Sequence, residues 1–424
     1  MDETDEAVLG WLNSHLVPLR SLEPGSGYQD LEPLRRQFEG VRIVGLGEST
    51  HGVHEFFGVK HRLVEFLVVE LGFTVFALEA SYAACQPINR YVMRGIGDPA
   101  AVLSGQHYLA WDTEEFAALI GWMRRYNEGV GEDRKLSFHG LDAGFNDVGR
   151  ESVRGYLERL APEWLPTIAE TFTALDAQER KWPLATDDDV IASAVEPLQD
   201  LERFLDQQSS PLTRRSSAAE FALNRWYVHV MSQWVEPGWP RERHLTENLS
   251  RVMDQERPDA KAILWLHNSH VAVERPADGE PRMGRRLRDR FGEAYWCMAL
   301  EFGRGTFQTR RISDDGRLGE LAVTDMPPPP RGSLPWHLEQ TGVGAFVIPV
   351  RNAGAADSGH WLYSSQLEHG GMWIHTDPDT LFEEVTVGEQ YDSILFIDNI
   401  TCSHPTPNAL ASAAVVPART RVVV

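Results

Sequence analysis

Residues 41–81 read VRIVGLGESTHGVHEFFGVKHRLVEFLVVELGFTVFALEAS. Val41 to Gly47 and Thr74 to Glu79 are short, apolar, β-branched runs, and between them Phe56, Val59, Leu63, Phe66 and Leu67 recur at helical spacing over Glu55 to Leu71. Strand, helix, strand in this order is the βαβ unit, which favours a parallel sheet with helices on its faces. Five further runs of the same kind, Leu136–Leu141, Ala262–Leu266, Ala294–Leu300, Ala345–Val350 and Ser393–Ile397, supply more strands. The pattern predicts an α/β fold with a mainly parallel central sheet flanked by helices.

From about Gly144 to Pro258 the strand pattern stops. Amphipathic helical stretches take over, broken at Pro162, Pro183, Pro211, Pro237 and Pro240, so residues 145–258 are expected to form a helical insertion or subdomain. At 424 residues the chain has room for two average domains or for one large domain with an insertion, and we read it as a single domain over 1–424. The insertion holds Trp164, Trp182, Trp226, Trp234 and Trp239, which either fill helix-to-helix contacts or wall a pocket for a bulky, apolar small molecule. Pro327 to Pro330 reads as a surface connection, with Ser333 capping a helix across Trp336 to Gln340. The tail from Ala409 is small and apolar without caps, an edge strand or a poorly ordered end.

Hydrophobic residues at 42% and charged residues at 24% are ordinary for a soluble globular protein. No stretch approaches the roughly 20 apolar residues that span a bilayer, so no membrane partner is expected. The N-terminus, MDETDEAVLGWL, is acidic where a secretory signal needs positive charge and an apolar run. Cys85, Cys297 and Cys402 show no metal-binding spacing and read as reduced packing residues, which with the missing signal suggests a cytoplasmic protein. With 40 Lys+Arg against 62 Asp+Glu, a net charge of −22, the chain has little from which to build a phosphate-binding face, and no nucleic-acid partner is expected.

In a parallel sheet, ligands bind at the carboxyl ends of the strands, where loops converge. The first strand runs into Glu48, Ser49, Thr50, His51 and His54; the second ends in Glu79, the third in Asp142, and the fourth passes into His267-Asn268-Ser269-His270. Each alone has a plain structural role open to it. Glu48 suits a helix cap, His54 stands on a first helical turn, His139 reads as a core histidine, and Asp142 is equally suited to capping a helix from Phe145. Together, Glu48, His51, Glu79, His267 and His270 point to chemistry, because burying several ionisable groups side by side is costly. A histidine with an ordinary pKa of about 6.5 accepts a proton from water, a carboxylate orients it, and a second histidine or a cation steadies the oxyanion formed at a carbonyl. No GxSxG elbow occurs, and neither Ser49 nor Ser269 has that context. A metal hydrolase is the stronger competitor, since His267-x-x-His270 has chelating spacing; there is no HExxH, and we expect neither metal nor other cofactor.

The stretch from Gly45 to Ser81 resembles the erythromycin esterase family, which also includes hydrolases related to succinoglycan biosynthesis. Its signature is a GE-x-x-H segment, a following helix and a glutamate ending the next strand. WDTEEFAALIGWMRRYN, FHGLDAG, RERHLTENL and ILWLHNSHV are similar to its later blocks, in the same order, so the resemblance covers about Val41 to Val271. It implies that His51 activates water for direct attack on a macrolactone ester, that Glu48 and Glu79 are active-site glutamates, and that His267 and His270 are the histidines of its HN-x-H block. One departure is visible. Where the family commonly carries arginine nine residues after the catalytic histidine, this chain has Lys60, which keeps the charge and loses the bidentate fork. Lys60, Arg62 and Asp142 are the substrate-binding candidates.

The leading expectation is a hydrolase of a carboxylic ester, a macrolide lactone among the candidates, with His51 as general base and no acyl-enzyme. That substrate would place the protein in antibiotic resistance or secondary metabolism. The alternative is a biosynthetic enzyme in which His51 removes a proton from a polyketide-like substrate, giving elimination, dehydration or cyclisation. A binding protein that has kept the pocket and lost turnover is a third class.

Overall fold

The computed structural model describes residues 3–179, 187–276, 279–312, 318–351, 353, 358–370 and 381–414. Its strands are β1 (Val17–Pro18), β2 (Ile43–Leu46), β3 (Val75–Ser81), β4 (Ser137–Asp142), β5 (Ala262–Trp265), β6 (Tyr295–Ile312), β7 (Leu318–Met326), β8 (Ala345–Pro349), β9 (Gln366–His369), β10 (Phe382–Val385) and β11 (Ser393–Ile400). One sheet runs β1-β8-β11-β6-β2-β5-β3-β4, with β7 paired to β6, while β9 and β10 form a separate ribbon. The six strands from β11 to β4 are parallel. β8 runs antiparallel to β11, and β1 antiparallel to β8. All seven strands expected from the sequence are present, and the fold is α/β with a mostly parallel sheet flanked by helices.

Every residue of β2, β3, β4 and β5 is buried, which is why these runs are continuously apolar rather than alternating. One face packs on Phe56, Leu63 and Phe66 of the helix His54–Leu71 and on Phe116 and Met123 of the helix Glu114–Gly129. The other meets Leu157, Phe172, Leu198, Val230 and Leu249 of the helical stretch between β4 and β5. The helix His54–Leu71 stops at Gly72, whose φ of 71° lets its N–H return to the Leu67 and Val68 carbonyls. Its burial is wider than the apolar stripe in the sequence, because the segment 21–30 lies over the flank that would otherwise face solvent. Gly25 N–H donates to Glu65 there, and Arg62 donates to the Ser21 and Gly27 carbonyls.

Between β4 and β5 stand the helices Asp147–Leu160, Leu165–Glu179, Asp188–Gln207, Ser209–Arg215, Ala218–Trp234 and Arg241–Gln255. Trp164 packs on Phe204 with ring centroids 4.8 Å apart and Trp234 is buried, so these two serve helix-to-helix contacts, while Trp226 donates to Asn248 and also lines a cavity among these helices. Trp182 and Pro183 lie outside the described residues. Pro211 sits in the first turn of its helix rather than breaking it.

Two features depart from the sequence reading. β6 continues to Ile312, well past Leu300, and its outer half forms a hairpin with β7; the polar residues of that half hid it from an apolar-run criterion. Gly305, with φ 130°, allows the close approach to β11 there, since a Cβ would sit 2.0 Å from the Ile400 carbonyl oxygen. Pro407–Ala414 is a helix, not an edge strand, and the tail beyond Ala414 lies outside the described residues. Ser333 caps its helix as expected, accepting from Trp336 N–H. The three cysteines are unbridged, and among the described residues no helix is long and apolar enough to cross a membrane.

Candidate active site

Glu48, His267, Glu79 and Asp142 stand at the carboxyl ends of β2, β5, β3 and β4, which are consecutive in the sheet. Local geometry aims each of them. The β3–β4 pairing shifts register between Leu78 and Ser81, and Gly140 on β4 makes room for the shift, since a Cβ there would lie 2.1 Å from the Ser81 carbonyl oxygen. Glu79 sits on that irregularity. His267 caps the short helix Asn268–Val271 by accepting from Ser269 N–H, while the Asn268 side chain pairs with both backbone groups of Leu300. Gly47 permits this, because a Cβ would stand 2.3 Å from Asn268 Oδ1.

The cluster has two halves. In the first, Glu48 accepts from His51 Nδ1 through one carboxylate oxygen. Through the other it accepts from Lys60 Nζ at 2.7 Å and from Trp265 Nε1 at 3.1 Å. Lys60 is fully buried and also lies over the Trp265 ring, 4.3 Å from its centroid. Burial raises the Glu48 pKa, but Lys60 and His51 outweigh it and hold the group below its ordinary value. Burial lowers the Lys60 pKa to about 8 against the pull of Glu48.

In the second half, Glu79 accepts from His267 N–H at 2.9 Å, from Arg241 Nη2 at 2.8 Å and from His270 Nε2 at 3.1 Å. Asp142 takes two bonds from Arg241, at 2.6 and 3.0 Å. His270 Nδ1 donates to Glu242 at 2.7 Å. Burial opposes a charge on His270, while Glu79 and Glu242 raise its pKa to about 9; Arg241 Nη1 also stands 3.0 Å from its Nε2. The same cations hold Glu79 well below its usual range despite burial. His267 behaves oppositely. Its Nδ1 accepts from Ser269 N–H, so its Nε2–H donates to the Ser49 carbonyl at 2.9 Å, and burial with His51 nearby lowers its pKa to about 4. It is a neutral strut, 5.8 Å from His51 between ring centroids.

Exposure divides the cluster. The side chains of His51 and Arg241 are 15% and 24% exposed, against 3% for Glu48, 0% for Lys60, 7% for Glu79 and 1% for Asp142. Four carboxylates (Glu48, Glu79, Asp142, Glu242) stand among Lys60, Arg241, His270 and Arg282, the last 3.7 Å from Glu242.

The structure thus brings Glu48, His51, Glu79, His267 and His270 together. Two substrate-binding candidates lie in it differently from the expectation: Lys60 is sealed beneath Glu48, and Asp142 is bound to Arg241 and caps no helix. Arg62 is elsewhere, its guanidinium held by Asp30 and the Ser21 and Gly27 carbonyls, because residue 62 of this helix faces the segment 21–30. His139 stays with Ser137, 3.1 Å away, as a core histidine. Arg241 and Glu242 were not singled out from the sequence. They open the helix Arg241–Gln255 within RERHLTENL, and the charged pair directly after Pro240 was the available signal. Trp239, with φ 37° although not a glycine, forms the strained turn that delivers them.

The family described as erythromycin esterase matches residues 68–400. An erythromycin esterase type II of Escherichia coli is 34% identical over 384 residues, covering 81% of this chain and 88% of that protein. Two solved structures share the fold. A succinoglycan biosynthesis protein has a TM-score of 0.79 and 22% identity, covering 96% of this chain and all of that one. A mutant erythromycin esterase, EreC, in its open conformation has a TM-score of 0.67 and 18% identity, covering 89% and 96%. The chain belongs to the erythromycin esterase family, and with it to the ester hydrolases.

Proposed function

We propose that the protein hydrolyses a carboxylic ester by direct attack of water, with His51 as general base. The observation that carries this reading is the buried Lys60–Glu48–His51 relay, which ends in a partly exposed imidazole. Glu48 fixes the proton on Nδ1 and makes Nε2 the basic nitrogen. His51 takes a proton from water as the oxygen bonds to the ester carbonyl carbon. The carbonyl π electrons pass to oxygen, and the partly exposed Arg241 guanidinium is placed to steady that charge. Collapse of the tetrahedral intermediate breaks the bond to the alkoxide, which leaves with the proton held by His51. Carboxylic acid and alcohol account for all atoms of ester and water. The imidazolium formed on the way faces the Glu48 carboxylate that bonds its Nδ1.

The E. coli relative makes a macrolide lactone the first substrate to try. The test is mass spectrometry of the protein with a panel of macrolides and simpler esters, in ordinary and in 18O water, with and without chelator. A product heavier by one water, carrying 18O in its carboxylate and absent with His51→Ala, supports the reading. A product lighter by one water or of unchanged mass points to elimination or cyclisation, and turnover undiminished in His51→Ala removes His51 as the base.

A further inference from the structure

Away from the strand-end cluster, three side chains from three separate elements converge on one spot. His54 opens the helix His54–Leu71, Glu115 lies in the first turn of the helix Glu114–Gly129, and His404 belongs to the segment after β11. Both histidines aim Nδ1 at the same Glu115 oxygen, each at 2.7 Å, and their rings cross edge to face with centroids 5.1 Å apart. Among the described residues this is the one group of three histidine, cysteine or acidic side chains whose donor atoms all lie within 4.8 Å of one another.

We propose that His54, Glu115 and His404 form a binding site for a divalent transition-metal ion, with zinc the best match to two imidazoles and one carboxylate. The strand-end cluster, by contrast, has His267 and His270 committed to Ser49, Ser269, Glu79 and Glu242, and His51 Nδ1 to Glu48. Donors around a tetrahedral zinc with bonds of about 2.1 Å stand about 3.4 Å apart. The two nitrogens must therefore move out from the carboxylate by well under 1 Å each. Room for this exists, since His54 is 33% and His404 62% exposed, and the open side leaves positions for water. The Glu115 backbone and side chain are already fixed: the carboxylate also accepts from His404 N–H, and Glu114 N–H donates to the His404 carbonyl.

The site lies on a seam that holds the catalytic loop. Val53 bridges to Cys402, Ser403 N–H donates to the Gly52 carbonyl, and His54 N–H to the Thr401 carbonyl. On the far side Thr113 bridges to Pro405, and Thr406 binds Asp112, next to the Trp111 ring that packs edge-on against His51 at 4.8 Å. A metal there ties residues 401–406 to both stretches that frame His51, which makes it a structural ion rather than a reactive one. This departs from the metal-free expectation.

The test uses untagged protein, so that no tag histidines compete. Elemental analysis after equilibration with zinc and removal of the excess is expected to give about one zinc per chain in the wild type and a several-fold lower content in His404→Ala. A zinc-dependent rise in melting temperature should appear in the wild type, reverse with chelator and vanish in the variant. His404 is mostly exposed, so the variant should fold; if it does not, His54→Gln serves in its place. Cobalt offers a second readout, as intense visible absorption from ligand-bound cobalt in the wild type alone. No zinc retained by the wild type, or equal zinc in wild type and variant, overturns the proposal and leaves a hydrogen-bonded His–Glu–His clamp.

Discussion

Lys60 is the residue whose burial says most about its role. With no exposed surface it reaches Glu48, so in the mechanism we propose it acts through His51. His51→Ala is expected to lower kcat by about 10²- to 10⁴-fold with KM little changed. Lys60→Met should lower kcat by a smaller factor, also at constant KM, and cost about 3–5 kcal/mol of stability by stranding a buried carboxylate. Steady-state kinetics with urea unfolding checks both; a raised KM at constant kcat would instead give Lys60 the substrate contact expected from the sequence. His270 carries a pH signature. Its folded pKa of about 9 exceeds the ordinary value of about 6.5, so folded protein binds more protons in that window. Its contribution is complete below pH 6.5 and is lost as pH rises toward 9. The stability of the wild type should therefore fall more steeply between pH 6.5 and 8 than that of His270→Gln, measured as urea midpoints. Six of the cluster's members, Asp142 among them, were legible as polar residues ending apolar runs. Arg62 is held by Asp30 and the segment 21–30, a covering that its place in the helix does not reveal, and Arg241 lies 99 positions from its partner Asp142, a pairing that no local pattern encodes.

The element that matters most is the loop from β2 to the helix His54–Leu71. Gly52 has φ 78°, and a Cβ there would meet the Gln308 carbonyl oxygen at 2.4 Å. Gly52→Ala is expected to cost more than about 1 kcal/mol and to displace His51, lowering both the melting temperature and kcat. Thermal unfolding beside activity measures this; an active variant of unchanged stability would show that the loop tolerates the shift. The strands and the helix between β2 and β3 were readable because burial on both sheet faces forces continuous apolar runs. The hairpin of β6 and β7 was not, since its outer half is polar, and β1 is too short to leave a pattern.

At the scale of the molecule, the site straddles the seam between the sheet and the helical segment. Arg241 and Glu242 come from the helices, while Glu79, Asp142 and His270 come from the sheet edge. We propose that residues 1–424 fold as one unit with 145–258 as an insertion. Urea unfolding of the wild type should then show one transition by both tryptophan fluorescence and far-UV circular dichroism. Arg241→Ala leaves two buried carboxylates facing each other and should lose about 3–5 kcal/mol. Two separate transitions in the wild type would break the single-unit reading. The α/β class followed from alternating patterns that the whole chain repeats, whereas the seam depends on where distant segments dock.

One flank of the sheet ends at β1, where Val17 and Pro18 lie along β8. A proline offers no N–H to a strand arriving from outside, so the flank is blunted by two residues. Pro18→Val would return an N–H to that open edge while leaving the Glu3–His15 helix in place, and concentrated solutions of the variant should form β-rich aggregates sooner than those of the unaltered chain.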